Sequence, residues 1–224
     1  MIYIAMLGIL LHILGPFISI KGFKVNNQQQ VLGVKKFFRF WSPQRCYDIA
    51  TIVTALICYI TFYQEFNQHL LNVSNPFIIS LLGLSGILLP IIIWKVQKRE
   101  IIFKGKHTIN IDILLFLPFS AFSEELIWRF IAPLLLNIYI FESTVLSIFI
   151  SSIGFILLHI PLGGVKVIPY FFLFTLIAVI LFLSFGILTS IVFHISHNIF
   201  IQLFYSRRKK IVNNKIPVVS ETDW

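Results

Sequence analysis

Six polar side chains interrupt long apolar stretches of this chain, and their types suffice for hydrolytic chemistry. Glu124 and Glu125 are adjacent, and Arg129 follows Glu125 by four residues. Positions four apart share a helix face, so Glu125 and Arg129 can pair and partly neutralise each other. Glu124 lies roughly 100° round the helix, at about 3.6 residues per turn, and is left over. A carboxylate held out of water is a candidate general base. His159 stands one turn after Phe155, and His194 one turn before Asn198 on a shared face, with His197 to its side. A peptide bond needs a base, a water and a donor to the oxyanion, and these residue types supply all three. The competing structural reading is a buried polar cluster that locks helices together.

The elements that must position them are membrane helices. Hydrophobic residues make up 58% of the 224 residues and charged residues 12%, with a mean hydropathy of +0.90. Soluble domains carry about 25% charged residues, so this chain cannot cover a water-facing surface. That argues against a soluble enzyme, a nucleic-acid binder and a disordered tail. Apolar runs lie near 2–20, 48–64, 76–94, 113–139, 143–161, 167–184 and 186–206. A span needs about 17–25 residues, so the expectation is an all-α polytopic bundle of about seven spans. A fused hairpin or re-entrant segment over 167–206 is the alternative. The first run has no basic residue before it and no small-residue cleavage site after it, so it reads as a retained span.

All but one of the 18 Lys and Arg residues fall in segments 21–47, 95–106, 161–167 and the tail from Arg207. With seven spans these segments share one side, while loops 65–75, 140–142 and 184–186 have no Lys or Arg. The positive-inside rule then places the N-terminus outside and the C-terminus in the cytoplasm. The net charge of +9 is read as topology plus attraction to anionic lipid headgroups, with no nucleic-acid partner. The eighteenth basic residue is Arg129, inside a span. Ionisable groups at the bilayer centre cost at least a few kcal/mol each, so Glu124, Glu125 and Arg129 together need a reason.

Glu124-Glu125-x-x-x-Arg129, then Phe155-x-x-x-His159, then His194-x-x-x-Asn198, in that order over residues 110–205, resembles the CPBP family. These are CAAX-type intramembrane proteases and bacteriocin-processing or immunity relatives, also called the Abi family. The resemblance implies a glutamate protease without a covalent enzyme intermediate. Glu124 would activate water with help from His159, and His194 and Asn198 would donate to the oxyanion. Glu125 and Arg129 would orient the site, with Phe155 supporting. Family members often carry Gly after the motif arginine, whereas Phe130 stands here and would narrow the helix packing.

The chain is thus divided into N-terminal spans 1–108, a catalytic core 109–206 and a basic tail 207–224. The expected function is cleavage of a lipidated or hydrophobic peptide, such as a CAAX-type tail or a peptide precursor. The alternative is a non-catalytic immunity or peptide-binding protein on the same scaffold. Expected partners are membrane lipids and the peptide, and no cofactor or metal is expected. The location is a multi-pass place in a cell membrane, and the many Ile, Phe, Lys and Asn residues lean towards a bacterium.

Other patterns are weighed against this. Glu124, His159, His194 and His197 could surround zinc, but no His-Glu-x-x-His is present. Gly83-Leu84-Ser85-Gly86 looks like a serine-protease motif, yet Gly and Ser at this spacing are usually helix-packing contacts. A transporter would show repeated halves, and none stands out. Pro118, Pro133 and Pro161 read as entry, kink and exit points. His12, His69 and His107 read as structural or interfacial, Cys46 and Cys58 as inert, and Asp112 as a headgroup-level residue. Asn72-Val73-Ser74 is a formal glycosylation sequon with little use so near a membrane.

Overall fold

The computed structural model of the chain describes residues 3–14, 43–70, 75–105 and 111–208. His107, the sequon at 72–74, segment 15–42 and the tail beyond Arg208 lie outside these residues. So do the side chains of Cys46, His69 and Asp112, and the 108/109 boundary.

Each apolar run forms a helix. In chain order they are α1 (Tyr3–Leu14), α2 (Pro43–Thr61), α3 (Tyr63–Leu70), α4 (Pro76–Val96) and α5 (Ile111–Glu125). A π-helical stretch, Leu126–Ile131, leads into α6 (Ala132–Leu136) and a second π stretch, Asn137–Phe141. Then come α7 (Thr144–Leu158), the short α8 (Ile160–Gly163), α9 (Ile168–Phe185) and α10 (Ile187–Leu203). Two segments, Pro76–Val96 and Val165–Phe185, are each long and apolar enough to cross a membrane. Their outer faces carry exposed Leu81, Leu84, Leu88 and Ile92 on α4, and Phe172, Leu176, Ile180 and Leu183 on α9. Apolar stripes of that extent suit lipid rather than water.

The last two runs are separate helices. Gly186 divides them with φ of 84°, a left-handed value that glycine adopts at little cost. At the other hairpin, Ser143 caps α7 by accepting the Leu146 N–H at 3.5 Å.

One element is absent from the sequence reading. Arg99–Phe103 (β1) and Phe204–Arg208 (β2) pair as a two-stranded antiparallel ribbon, with Arg99 opposite Arg208 and Phe103 opposite Phe204. The strands extend α4 and α10 and bring two basic segments to one end of the molecule.

Helix α10 packs along α4, and the small residues of α4 make this contact close. A Cβ on Gly86 would overlap the Phe193 carbonyl oxygen and the Ser196 hydroxyl, and one on Gly83 would overlap Val192. Trp94 meets Phe200 further along, so the two helices run parallel. The Gly83–Gly86 segment is therefore a packing surface, with Ser85 bonded to its own helix at the Leu82 carbonyl.

The π stretch has a local cause. Pro133 has no N–H and its ring crowds the preceding turn, so the α ladder cannot continue through it. The Ala132 N–H reaches back five residues to the Ile127 carbonyl, the π pattern. In that register the Trp128 carbonyl would need the N–H that Pro133 lacks. Ser151 of α7 supplies the missing donor, its Oγ 2.6 Å from the Trp128 carbonyl oxygen. Gly154 lets α7 lie flat on Trp128, whose Cη2 stands 3.0 Å from where a Cβ would be.

Candidate active site

The two glutamates end α5, immediately before the π stretch, and face different surroundings. Glu125 is fully buried, and both of its oxygens have partners. Its Oε1 accepts from His194 Nδ1 at 2.9 Å, and its Oε2 accepts from the Ser190 hydroxyl and stands 3.4 Å from Arg129 Nε. Glu124 keeps an accessible edge: its side chain is 11% exposed against 0% for Glu125. The only basic side chain within ion-pair distance among the described residues is His194, whose Nε2 is 3.8 Å from Glu124 Oε2. That gap is too long for a hydrogen bond and of the order that one water bridges.

Arg129 is buried, and its guanidinium nitrogens make no hydrogen bond among the described residues. Its charge is balanced by Glu125 and by the face of Phe155, 4.5 Å from Cζ to the ring centroid. The same Phe155 ring lies 4.7 Å from His159 and 6.0 Å from His194, making it the hub between the three motif helices.

His159 closes α7. Its Nδ1 donates to the Phe155 carbonyl at 2.9 Å, and its ring stacks on Phe171 with centroids 3.8 Å apart. With the proton on Nδ1, Nε2 is left as an acceptor. His159 makes no hydrogen bond or ion pair with Glu124, so a water would have to lie between them for the two to act together.

On α10, His194 reaches the glutamates whereas Asn198 does not. The Asn198 Oδ1 accepts from His197 Nδ1 at 3.0 Å, and the Tyr170 hydroxyl donates to His197 Nε2. Asn198 Nδ2 remains free of any hydrogen bond among the described residues. The sequence reading set His197 aside, and Tyr170 did not enter it. Ser190 was also missed, although it precedes His194 by one turn and that spacing points to it.

Residues N-terminal to the motifs complete the surroundings. Asp48 of α2 is buried, accepts from the Ser120 hydroxyl at 3.3 Å, and acts electrostatically on Glu124. His12 of α1 is buried in a bonded chain: Trp128 Nε1 donates to its Nε2 at 3.0 Å, and its Nδ1 donates to Thr51 Oγ1 at 2.9 Å. The structural reading of His12 fits this placement. It ties α1 and α2 to the helix that bears the glutamates.

Phe130 points away from the chemistry. It is buried and meets Phe66 edge-on at 5.5 Å. The bulky residue after the arginine thus fills a seam with α3, and the site residues keep their contacts. Among the described residues no three His, Cys, Asp or Glu side chains are grouped to hold a metal. Two cavities flank the site. One of about 530 Å³ lies beyond Arg129, bordered by Pro133, Asn137, Thr144 and the Gly186 turn. The other, about 300 Å³, runs between α2 and α5 along Ile52, Leu56, Phe119 and Phe122 to Ser123, the residue before Glu124.

Residues 106–200 match the family model described as type II CAAX prenyl endopeptidase, Rce1-like, which bears out the resemblance drawn from the three motifs. The matched stretch is just under half of the chain and contains all six polar motif residues. Comparison with curated proteins and with solved structures gave no match. The match supports a protease function in general and a helical membrane setting.

Proposed function

We propose that the protein is an intramembrane endopeptidase in which Glu124 activates water to cleave a hydrophobic or lipidated peptide. The observation that carries this reading is the asymmetry of the glutamate pair. Glu125 has both carboxylate oxygens hydrogen-bonded, while Glu124 has an accessible carboxylate with no hydrogen-bond donor claiming it among the described residues.

In the proposed reaction Glu124 takes one proton from a water, and the water oxygen attacks the peptide carbonyl carbon. The His159 Nε2 lone pair receives the second hydrogen of that water as a hydrogen bond. The oxyanion is met by Asn198 Nδ2–H and by His194 Nε2–H when that ring carries both protons. As the intermediate collapses, the C–N bond breaks and Glu124 returns its proton to the leaving amine. Glu125 acts through His194, holding the ring by Nδ1, and Arg129 balances the charge of Glu125.

The apolar cavity between α2 and α5 supports a substrate with a hydrophobic part, which would lie there with its scissile bond near Glu124. The remaining features of the reading are part of the same proposal. They are about seven spans with the N-terminus outside, a catalytic core over 109–206 behind N-terminal spans 1–108, a basic cytoplasmic tail from 207, and a bacterial cell membrane as its place.

The test uses the full chain in detergent micelles with an internally quenched, farnesylated CAAX-type peptide. Cleavage by the native protein that persists with a metal chelator and falls about 100–10,000-fold in Glu124→Gln is expected, as for loss of a general base. Binding of the peptide without cleavage would overturn the protease reading in favour of an immunity or peptide-binding role. Cleavage lost to the chelator would overturn the glutamate mechanism in favour of a metal.

A further inference from the structure

A carboxamide can serve an oxyanion with one end only. Nδ2 donates, whereas Oδ1 would set lone pairs against the negative charge. Nothing in the side chain of Asn198 itself decides which end faces the reaction, since the two are nearly the same size. The neighbouring hydrogen bonds do decide it.

His197 is buried beside Asn198, with Nδ1 3.0 Å from Asn198 Oδ1. Its other nitrogen, Nε2, stands 2.5 Å from the hydroxyl of Tyr170, in the first turn of α9. With Asn198 Oδ1 as an acceptor, one proton arrangement satisfies every atom. The phenol donates to Nε2, the ring carries its proton on Nδ1, and Nδ1–H donates to Oδ1. The opposite tautomer would place two lone pairs against each other at 3.0 Å. The imidazole has little freedom to turn away, because Phe174 meets its face edge-on with centroids 4.7 Å apart. Behind it, the His197 backbone nitrogen is 3.0 Å from where a Cβ on Gly86 would stand, so α10 is pressed against α4 at this point.

We propose that Tyr170 and His197 are positioning residues that fix the Asn198 carboxamide with its Nδ2 donors turned to the oxyanion. Tyr170 sets the tautomer of His197, and His197 sets the orientation of Asn198. The inference rests on the glutamate-protease reading above. It adds two residues that lie off the three motif positions, one of them on a helix with no motif.

Substitutions at 197 separate orientation from mere packing. An asparagine there keeps an N–H donor near the position of Nδ1, while an aspartate of almost the same shape offers only acceptors. With the farnesylated quenched peptide, His197→Asn is expected to stay within a few-fold of native kcat. His197→Asp is expected to fall about 100–1,000-fold, the loss typical of an oxyanion donor. KM is expected to stay unchanged in both. Tyr170→Phe is expected to lower kcat about tenfold and to have no further effect in an Asn198→Ala background. A second readout needs no turnover: the imidazole ¹⁵N resonances of His197 should show Nδ1 protonated and Nε2 bare, and should change in Tyr170→Phe. Equal kcat in His197→Asn and His197→Asp, or a proton on Nε2, would overturn this inference while leaving the protease reading in place. A native protein that leaves the peptide uncut would overturn the protease reading and this role with it, whatever the resonances show.

Discussion

Glu124 and Glu125 are neighbours in sequence with opposite surroundings, and the difference is made by Arg129 one turn on and by two residues far away in the chain. Ser190, His194 and Arg129 converge on Glu125, so that a buried carboxylate is never without a partner. Removing Arg129 would leave that carboxylate uncompensated. Arg129→Leu is expected to cost about 3–5 kcal/mol of stability, read as a lower unfolding midpoint in detergent. A change below about 1 kcal/mol would mean that Ser190 and His194 suffice. Much at this scale is legible in the sequence. The pairing of Glu125 with Arg129 follows from helical spacing, and it leaves Glu124 outside that pair. Ser190 was legible by the same spacing but was passed over. Tyr170 was not, since it meets His197 from 27 positions away on another helix, and no local pattern encodes that contact.

At the level of elements, the helix that carries the glutamates is helical from Ile111 through Phe141 but changes winding three times. The hydropathy of the run marks its extent, and Pro133 marks the kink. Pro133 shows where the α ladder must break, but that a π turn takes its place is decided by where the freed carbonyls find donors. Ser151→Ala removes the donor to the Trp128 carbonyl and leaves that acceptor buried and unpaired. The expected loss is about 1–3 kcal/mol in unfolding measurements. Gly86 is the other element-scale constraint. Gly86→Val would drive side-chain atoms into α10 at Phe193, Ser196 and His197. Loss of activity with a lowered unfolding midpoint is expected, and unchanged behaviour of both would contradict the close α4–α10 contact. The β1–β2 ribbon lay hidden in the sequence for a similar reason. Its strands read locally as a charged loop and as the end of an apolar run, and they become strands by pairing across more than a hundred residues.

For the molecule as a whole, the family match covers residues 106–200, while part of the site's surroundings comes from before it. Asp48, bonded to Ser120, acts electrostatically on Glu124, and His12 with Thr51 and Trp128 fastens the first two helices to the one that bears the glutamates. A sequence reading that treats those first spans as scaffold misses this contact. The ribbon and the parallel run of α4 with α10 put the ends of both helices at one pole, and Glu142 and Ser143 lie at the start of α7. The proposed topology can therefore be tested by single cysteines in a chain with Cys46 and Cys58 replaced. In inverted membrane vesicles, Lys98→Cys is expected to react with a membrane-impermeant maleimide, and Ser143→Cys only after the vesicles are opened. Reaction of both from the same side would contradict an odd number of crossings between them.

The central claim is that one glutamate does chemistry while the other holds the site. The most direct measurement compares turnover of the farnesylated quenched peptide and the unfolding midpoint in Glu124→Gln and Glu125→Gln, side by side with the native chain. The account predicts that Glu124→Gln melts close to native and has lost at least about 100-fold in kcat. Glu125→Gln should melt clearly lower, because the ion pair with Arg129 is lost and the hydrogen bond from His194 no longer meets a charge. Native-like turnover in Glu124→Gln, with activity depending on Glu125 alone, would contradict the account.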